Sequence, residues 1–293
     1  MVERIAGIVV PIFLVVLVGY LYGRKHSPSM EAANRINIDV FTPFLILSVF
    51  ASRPVELADY APLAMGAIIV TLVPGIGAYY LARALGVNWK TYVPPMMFRN
   101  SGNTGLPLML FTFGEAFMPA AVILFIVENT LHFTVGVWLL NPRTHLLLVL
   151  KNPMIIAAAV GLTIAGFSIH LPDWLIRSLA LLGDIAVPLM LFALGVRLVN
   201  LDLSGWRIGV ISAIASPLLG LMVAWPLTLV LDLSPVQQAM LILFGALPPA
   251  VLNYLVAERY NQQPEQVAAM VLFSNALSIV SIPLVLAWVL GGL

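Results

Sequence analysis

The chain has 293 residues, of which 61% are hydrophobic and only 9% are charged. A soluble domain carries about 25% charged residues, so this composition excludes a water-facing globular surface and makes lipid the main solvent. The net charge of +1, with basic residues scattered along the chain, gives no indication of a nucleic-acid partner, and none is predicted. The lack of cysteine excludes disulfides, cysteine-bound metals and thiol nucleophiles.

Apolar runs bounded by polar or charged clusters predict an all-α integral membrane protein with ten transmembrane helices. A span needs about 20 apolar residues, and backbone polar groups in lipid find their partners only within a helix. The second span has the most polar start. The predicted limits are 4–22, 34–51, 62–84, 91–112, 118–140, 152–170, 174–198, 206–231, 236–257 and 266–290.

The basic residues predict the orientation of these spans. One set of alternate loops holds ten of them, and the other set holds three: Arg4, Arg53 and Arg177. Cytoplasmic loops carry the excess of Lys and Arg. Both chain ends are therefore predicted outside, in the periplasm of a bacterial cell, with the spans in the inner (plasma) membrane. The ten are Arg24, Lys25, Arg35, Arg83, Lys90, Arg143, Lys151, Arg197, Arg207 and Arg259.

Similar motifs in the two halves indicate an internal repeat. Asp39 precedes Pro43, and Asp184 precedes Pro188, with the same spacing and an apolar run after each proline; the offset is 184 − 39 = 145. Five spans per half make the second half enter the membrane from the opposite side, which defines an inverted repeat. The alternative is chance similarity between short motifs in a sequence of biased composition. The same offset relates Pro119 to Pro264 and Asn129-Thr130 to Ser274-Asn275.

The predicted domain organisation follows from this repeat. Residues 1–140 form the first five-helix repeat, 141–151 a cytoplasmic connector, and 152–293 the second five-helix repeat.

The fourth and ninth spans are interrupted by helix-breaking residues. Span four holds a polar, glycine-containing run at 99–105, and span nine holds Pro248 and Pro249; the offset of 145 places Asn103-Thr104 opposite these prolines. Irregular backbone is tolerated at this depth only beside protein or a wet cavity, and half-helix N-termini attract anions. Paired interruptions predict a substrate site, with two purely structural kinks as the alternative.

Three stretches resemble the signature of the auxin efflux carrier family. They are Asn100-Ser-Gly-Asn-Thr-Gly-Leu-Pro-Leu with Phe113-Gly114, Leu247-Pro-Pro-Ala-Val-Leu-Asn253-Tyr-Leu-Val-Ala257, and Ser278-Ile-Val-Ser-Ile-Pro283. The resemblance covers nearly the whole chain, including the ten spans, and is to the bacterial members, which have no long central loop. It implies a fold similar to bile-acid symporters and sodium/proton antiporters, in which spans four and nine cross at their broken centres.

The resemblance also implies a mechanism. In such folds a transport domain, here spans three to five and eight to ten, moves like an elevator against a scaffold of spans one, two, six and seven. Substrates are organic anions such as auxin, malonate, malate or lactate, and the scaffold forms a homodimer. Asn103 and Asn253 are expected to contact the substrate carboxylate, with Asn100, Thr104 and Pro248 beside them.

Arg99 lies near the middle of the fourth span, where a charge in lipid costs about 2.5 kcal/mol or more. It must therefore face a cavity or an acid. Its forked donors suit a substrate carboxylate. The alternative, which the sequence leaves open, is a structural ion pair with Glu128, Asp39 or Asp184.

Polar residues in spans five and ten are candidates for coupling to H⁺ or Na⁺. Glu128 and His132, at i and i+4, share a helix face and suit proton binding and relay; helix–helix hydrogen bonding is the alternative. Ser274 and Asn275, followed by Ser278 and Ser281, suit a cation bound through oxygen, or close helix packing.

The remaining intramembrane charges and ligand types give structural expectations. Asp39 and Asp184 are interpreted as structural charges that pair with amides freed by Pro43 and Pro188. The carboxylate of Glu128 and the imidazole of His132 could both bind a metal, but two ligands are too few for a metal site. Neither a metal nor another cofactor is therefore predicted.

The favoured function is alternating-access transport of a mono- or dicarboxylate, without enzyme activity. The alternatives are a sodium-coupled symporter of the bile-acid type, an intramembrane enzyme, a structural or sensory protein, and a channel. The sequence has neither a G-x-S-x-G elbow nor an H-E-x-x-H motif. Nothing in it resembles a selectivity-filter ring.

Overall fold

The computed structural model describes residues 2–52, 56–143, 150–200 and 205–291. Within these ranges the regular elements are helices, apart from one isolated antiparallel bridge between Arg99 and Pro249. The predicted outer basic residue Arg53 and residues 144–149 of the predicted connector lie outside the described residues.

Sixteen α-helices occupy the described residues, joined by shorter helical segments. The 3₁₀ segments are Leu57–Tyr60, Glu115–Phe117 and Leu198–Asn200, and the π-helical segments are Asn37–Phe41, Ser101–Gly105 and His132–Gly136. The α-helices are α1 (Val2–His26), α2 (Glu31–Ile36), α3 (Thr42–Ala51), α4 (Ala61–Leu72), α5 (Pro74–Leu85), α6 (Trp89–Met97), α7 (Leu106–Phe113), α8 (Met118–Leu131), α9 (Val137–Leu140), α10 (Pro153–Gly166), α11 (Asp173–Gly183), α12 (Ala186–Arg197), α13 (Trp206–Val230), α14 (Pro235–Ala246), α15 (Leu252–Arg259) and α16 (Pro264–Gly291).

Seven helical stretches among the described residues are long and apolar enough to cross a membrane. The other three predicted spans fall on shorter or interrupted helices: span four on α6 and α7, span six on α10, and span nine on α14 and α15. The all-α membrane architecture is therefore confirmed, whereas the count of ten stays a prediction. The seven are Glu3–His26, Glu31–Ala51, Leu57–Leu85, Glu115–Leu140, Asp173–Arg197, Trp206–Val230 and Pro264–Gly291.

Side-chain caps determine where several helices begin. The side-chain oxygens of Asn88 and Asn152 each accept a hydrogen bond from the amide two residues later, at 3.0 and 2.9 Å. Ser234 and Gln237 exchange bonds in a capping box at the start of α14. Each cap satisfies an amide that has no partner inside its helix. The starts of α6, α10 and α14 are thereby fixed by local sequence.

The helices pack in two groups. In one group α1 packs on α12, and α3 packs on α10 and α11. In the other, α13 packs on α14 and α16, α4 on α8, α5 on α6, and α15 on α16. The groups meet where α1 contacts α7 and α3 contacts α8. Both interrupted spans belong to the second group.

Glycines permit the closest approach within the first group. An added Cβ at Gly19 of α1 would overlap the backbone of Phe192, and one at Gly195 of α12 would overlap the backbone of Val16. Small residues are enriched at membrane helix interfaces for this reason. The pair α1 and α12 therefore forms a tightly packed unit.

Candidate functional site

The two interrupted spans meet at their breaks. The chain leaves the helical conformation at 98–100, after α6, and at 247–250, after α14, and the two segments pair in antiparallel fashion at Arg99 and Pro249. The amide of Asn100 donates to the carbonyl of Pro248 at 2.7 Å, and the amide of Ala250 donates to the carbonyl of Phe98 at 3.0 Å. Backbone groups released by the breaks therefore satisfy one another.

The contact between the two breaks is made by Arg99 and Pro249. Because the pairing is antiparallel, it defines no constant offset between the two segments. Asn103 and Thr104, which the offset of 145 aligns with Pro248 and Pro249, lie four and five residues after Arg99, and that alignment stays a prediction.

A polar cleft adjoins the crossing and is lined from both helix groups. About 120 Å³ of it is open to the centre of a water-sized molecule, well above the roughly 10–15 Å³ that one water needs. All three π-helical segments of the described residues contribute to its wall, through Asn37, Ser101 and His132. Such turns occur often at functional sites because they redirect side chains from the regular helix face.

Glu128 and His132 form a buried pair in this wall. The Ser101 hydroxyl donates to Glu128 Oε2 at 2.6 Å, and Asn129 Nδ2 donates to the same oxygen at 3.3 Å. Glu128 Oε1 lies 3.7 Å from His132 Nδ1, and both atoms are buried without a hydrogen-bond partner. The His132 ring stacks on Phe98, with centroids 4.3 Å apart. The predicted shared face is confirmed; the role in proton coupling stays a prediction.

Asn100 and Asn275 connect the fourth-span break to α16. Asn100 Nδ2 donates to Asn275 Oδ1 at 2.9 Å, and Asn275 Nδ2 donates to the Pro249 carbonyl at 3.0 Å. The Ser278 hydroxyl donates to the Asn275 carbonyl at 2.6 Å, whereas the buried Ser274 hydroxyl has no partner. The amides of Asn100 and Asn275 are therefore engaged with each other and with the crossing.

Of the two asparagines expected to bind substrate, only Asn103 lines the cleft. Its half-buried side chain forms no hydrogen bond with another described residue. Asn253 is buried, and its Nδ2 donates to the carbonyls of Phe98 at 2.8 Å and Ala250 at 3.0 Å. Asn253 thus stabilises the crossing through a buried hydrogen bond between the two interrupted spans.

Thr104 and Pro248 lie beside the crossing rather than in the polar wall. The Thr104 hydroxyl is buried without a partner, and Thr104 lines a separate apolar pocket between α1, α12 and α16. Pro248 is buried and its carbonyl accepts the Asn100 amide. Their predicted contact with substrate remains untested.

Arg99 is almost completely buried, with 1% of its surface exposed. Its Nη1 donates to the Leu247 carbonyl at 3.1 Å and to the Ser216 carbonyl at 3.3 Å, while Nε and Nη2 have no partner. Leu247 caps the C-terminus of α14, where the helix dipole favours a positive charge. Among the described residues Arg99 forms no ion pair with an acid, so the expected alternative of a pair with Glu128, Asp39 or Asp184 is not observed.

The two predicted structural aspartates lie in other surroundings than expected. Asp39 is exposed and forms an ion pair with Arg35 at 3.7 Å, and Asp184 is exposed at the junction of α11 and α12. Within the described ranges neither carboxylate accepts a backbone amide. The helix continues through Pro43 as α3 and through Pro188 within α12, so few amides are released there.

Several residues of the cleft were not among those predicted from the sequence. Asn37 and Thr42 are buried in its wall, and Asn37 Oδ1 and Thr42 Oγ1 have no partner. Arg197, half-buried at the end of α12, also lines the cleft and has no ion-pair partner among the described residues. The polar start of span two was a signal for the first pair. Arg197 was counted as a loop residue because it ends an apolar run.

Comparisons with known proteins agree with a membrane transport role. A family described as "Membrane transport protein" matches residues 142–286. A protein of Rhizobium meliloti (strain 1021) named "Putative malonate transporter" is 26% identical over 306 residues, covering 95% of this chain and 94% of the relative. An "Uncharacterized transporter" of Methanocaldococcus jannaschii is 23% identical over 303 residues, covering 97% of this chain and 98% of that relative.

Proposed function

Because this chain belongs to the auxin efflux carrier family of membrane transporters, we propose that it is a secondary active transporter of a small mono- or dicarboxylate. The anion binds in the polar cleft beside the crossing and is carried by alternating access. The observation that carries the proposal is the meeting of two interrupted helices at a cleft lined by unpartnered polar atoms.

The electrostatics of the cleft support an anionic substrate. Its lining includes two guanidinium groups, those of Arg99 and Arg197, and one carboxylate, that of Glu128. Arg197 has no acidic partner among the described residues, and the amide of Asn103 is free to donate. A guanidinium binds carboxylate through parallel donors. We propose that Arg197 and Asn103 bind the substrate directly. The buried Arg99 contributes positive electrostatic potential to the cleft.

The packing of the helices supports a moving and a static part. We propose that spans three to five and eight to ten form the transport domain, and that spans one, two, six and seven form the scaffold. The two packing groups follow this division, and the cleft lies between them. An elevator motion of one group against the other would expose the cleft to each side in turn.

The proposed topology is that of the sequence analysis. Residues 1–140 and 152–293 form inverted five-helix repeats joined by a cytoplasmic connector at 141–151. Both chain ends lie on the periplasmic side of the inner membrane. The antiparallel bridge between the two breaks supports this inversion, because a two-fold axis in the membrane plane would relate such segments. A scaffold homodimer completes the proposal.

The proposal is tested by binding and by transport. Purified protein is screened by thermal shift against malonate, malate, lactate and an indole carboxylate, with and without sodium. The name of the Rhizobium meliloti relative makes malonate the first probe. Stabilisation by an acid, and its accumulation in proteoliposomes, are expected. Lack of stabilisation and of uptake for all four acids would overturn the proposal; sodium-dependent binding would favour the bile-acid type of symport.

A further inference from the structure

We infer that Glu128 and His132 form a proton-binding site coupled to the anion site, so that each carboxylate is bound together with a proton rather than a sodium ion. The inference deepens the proposed function and rests on it. Both side chains are almost fully buried, at 2% and 1% exposure.

The geometry of the pair suits one shared proton. Glu128 Oε2 accepts from Ser101 at 2.6 Å, a length typical of a hydroxyl bonded to a charged carboxylate. The other oxygen, Oε1, faces His132 Nδ1 at 3.7 Å, and neither atom has another partner. A proton on either atom supplies the missing donor between them, which removes the penalty of about 1–3 kcal/mol for an unsatisfied buried group.

The same surroundings do not suit a sodium ion. Hard cations are held by several oxygen atoms. The atoms that contact Glu128 Oε2 are hydrogen-bond donors instead, namely the Ser101 hydroxyl and Asn129 Nδ2. Across the crossing, Asn275 Oδ1 is occupied by Asn100.

Among the described residues, the polar and charged groups around the pair come from the break of span four, from α12 and from span two. The break of span four contributes Arg99, α12 contributes Arg197, and span two contributes uncharged Asn37 and Thr42. The charged residues Arg35 and Asp39 of span two pair with each other on an exposed face. Glu128 is therefore the one acid in a wall that also holds two guanidinium groups.

Substrate and proton are coupled through the π-helical segment Ser101–Gly105. Ser101 bonds to Glu128, and Asn103, two residues later, faces the cleft. A carboxylate held at Asn103 places a second negative charge near Glu128, and like charges favour protonation of one of them. The coupling is reciprocal, so proton binding strengthens anion binding by the same factor.

Proton uptake during anion binding tests the inference. Malonate and lactate are added to purified protein in weakly buffered detergent solution between about pH 6 and pH 8, with a pH-indicator dye and with sodium or choline as the cation. We expect uptake of about one proton per bound anion in either salt. Binding without proton uptake, or binding that requires sodium, would overturn the inference while leaving the proposed function intact. Failure of these two acids, and of malate and the indole carboxylate, to bind would overturn both.

Matched variants locate the proton. Glu128→Gln keeps an acceptor for Ser101 but carries no charge, so it should bind anion without proton uptake and with affinity independent of pH. His132→Gln should also lose uptake. Asp39→Asn and His170→Gln, which change exposed groups that do not line the cleft, should retain it. Wild-type uptake in both Glu128→Gln and His132→Gln contradicts the assignment, and if either variant fails to fold, the sodium and choline measurements on the wild type still decide.

Discussion

Asn103 and Asn253 both lie within four residues of the bridge at the crossing, yet their side chains make different contacts. The Asn253 side-chain amide donates hydrogen bonds to the carbonyls of Phe98 and Ala250, whereas the Asn103 side chain faces the cleft without a hydrogen-bond partner among the described residues. At the scale of single residues, the same amino acid therefore stabilises the crossing on one side and is available to a ligand on the other. Substitutions should separate the two roles.

Asn103→Ala should weaken anion binding strongly and leave the protein as stable as the wild type. Asn253→Ala should lower the free energy of unfolding by about 0.5–1.5 kcal/mol, because the buried Phe98 carbonyl loses one of its two donors and keeps the Ala250 amide. Ligand-induced thermal shift and the melting temperature without ligand measure the two effects. Equal loss of binding in both variants, with no change in stability, would contradict this division.

Arg197→Gln should weaken the binding of a dicarboxylate by about tenfold or more, since a hydrogen bond to a charged group contributes about 1.5–3 kcal/mol and 1.4 kcal/mol is tenfold. Titration calorimetry with malonate measures it. The matched control is Arg35→Gln, which removes an exposed guanidinium paired with Asp39. A larger effect in the control than in Arg197→Gln would remove Arg197 from the binding site.

Among the elements, the interrupted helices depend on close contact between α13 and α14. An added Cβ at Gly220 of α13 would overlap the Gly245 carbonyl and the guanidinium of Arg99. Arg99 in turn donates to the Leu247 carbonyl that ends α14. Gly220 therefore leaves the space that the Arg99 guanidinium occupies, and Arg99 stabilises the break in span nine through its bond to Leu247.

Gly220→Ala should destabilise the fold by about 1–3 kcal/mol, as overpacking does in other cores. It should also reduce transport, because the position of Arg99 shifts. Gly7→Ala is the matched control, since an added Cβ there meets no atom within 4 Å. Thermal unfolding and uptake are compared for both, and a Gly220→Ala protein as stable and active as the control argues against the contact.

For the whole molecule, the orientation in the membrane is open to direct test because the chain lacks cysteine. Ser29 and Glu115 are exposed, one between α1 and α2 and the other between α7 and α8. The positive-inside rule predicts Ser29 in the cytoplasm and Glu115 outside. Single substitutions to cysteine therefore provide clean labelling sites.

An impermeant maleimide should label Glu115→Cys in intact cells, and Ser29→Cys only after the cells are permeabilised. Mass spectrometry of the purified protein measures the labelled fraction. Labelling of Ser29→Cys alone in intact cells would reverse the proposed topology, and labelling of both to the same extent would contradict a fixed orientation.

Sequence alone determined the membrane architecture, the approximate limits of the helices, and the two interruptions. Lipid disfavours charged side chains and requires that backbone groups bond within the segment. Apolar runs and their polar interruptions can therefore be predicted from local sequence, without knowledge of the packing partners. The i, i+4 pair of Glu128 and His132 was predictable for the same reason, because helix geometry alone brings them together.

The tertiary structure decided what depends on partners distant in sequence. It pairs Arg99 with Pro249, gives the guanidinium to Leu247 and Ser216, and brings Arg197 to the cleft wall. It also separates Asn103 from Asn253 in role. These contacts are made between helices, and residues on different helices meet only once packing has chosen the register and the facing sides.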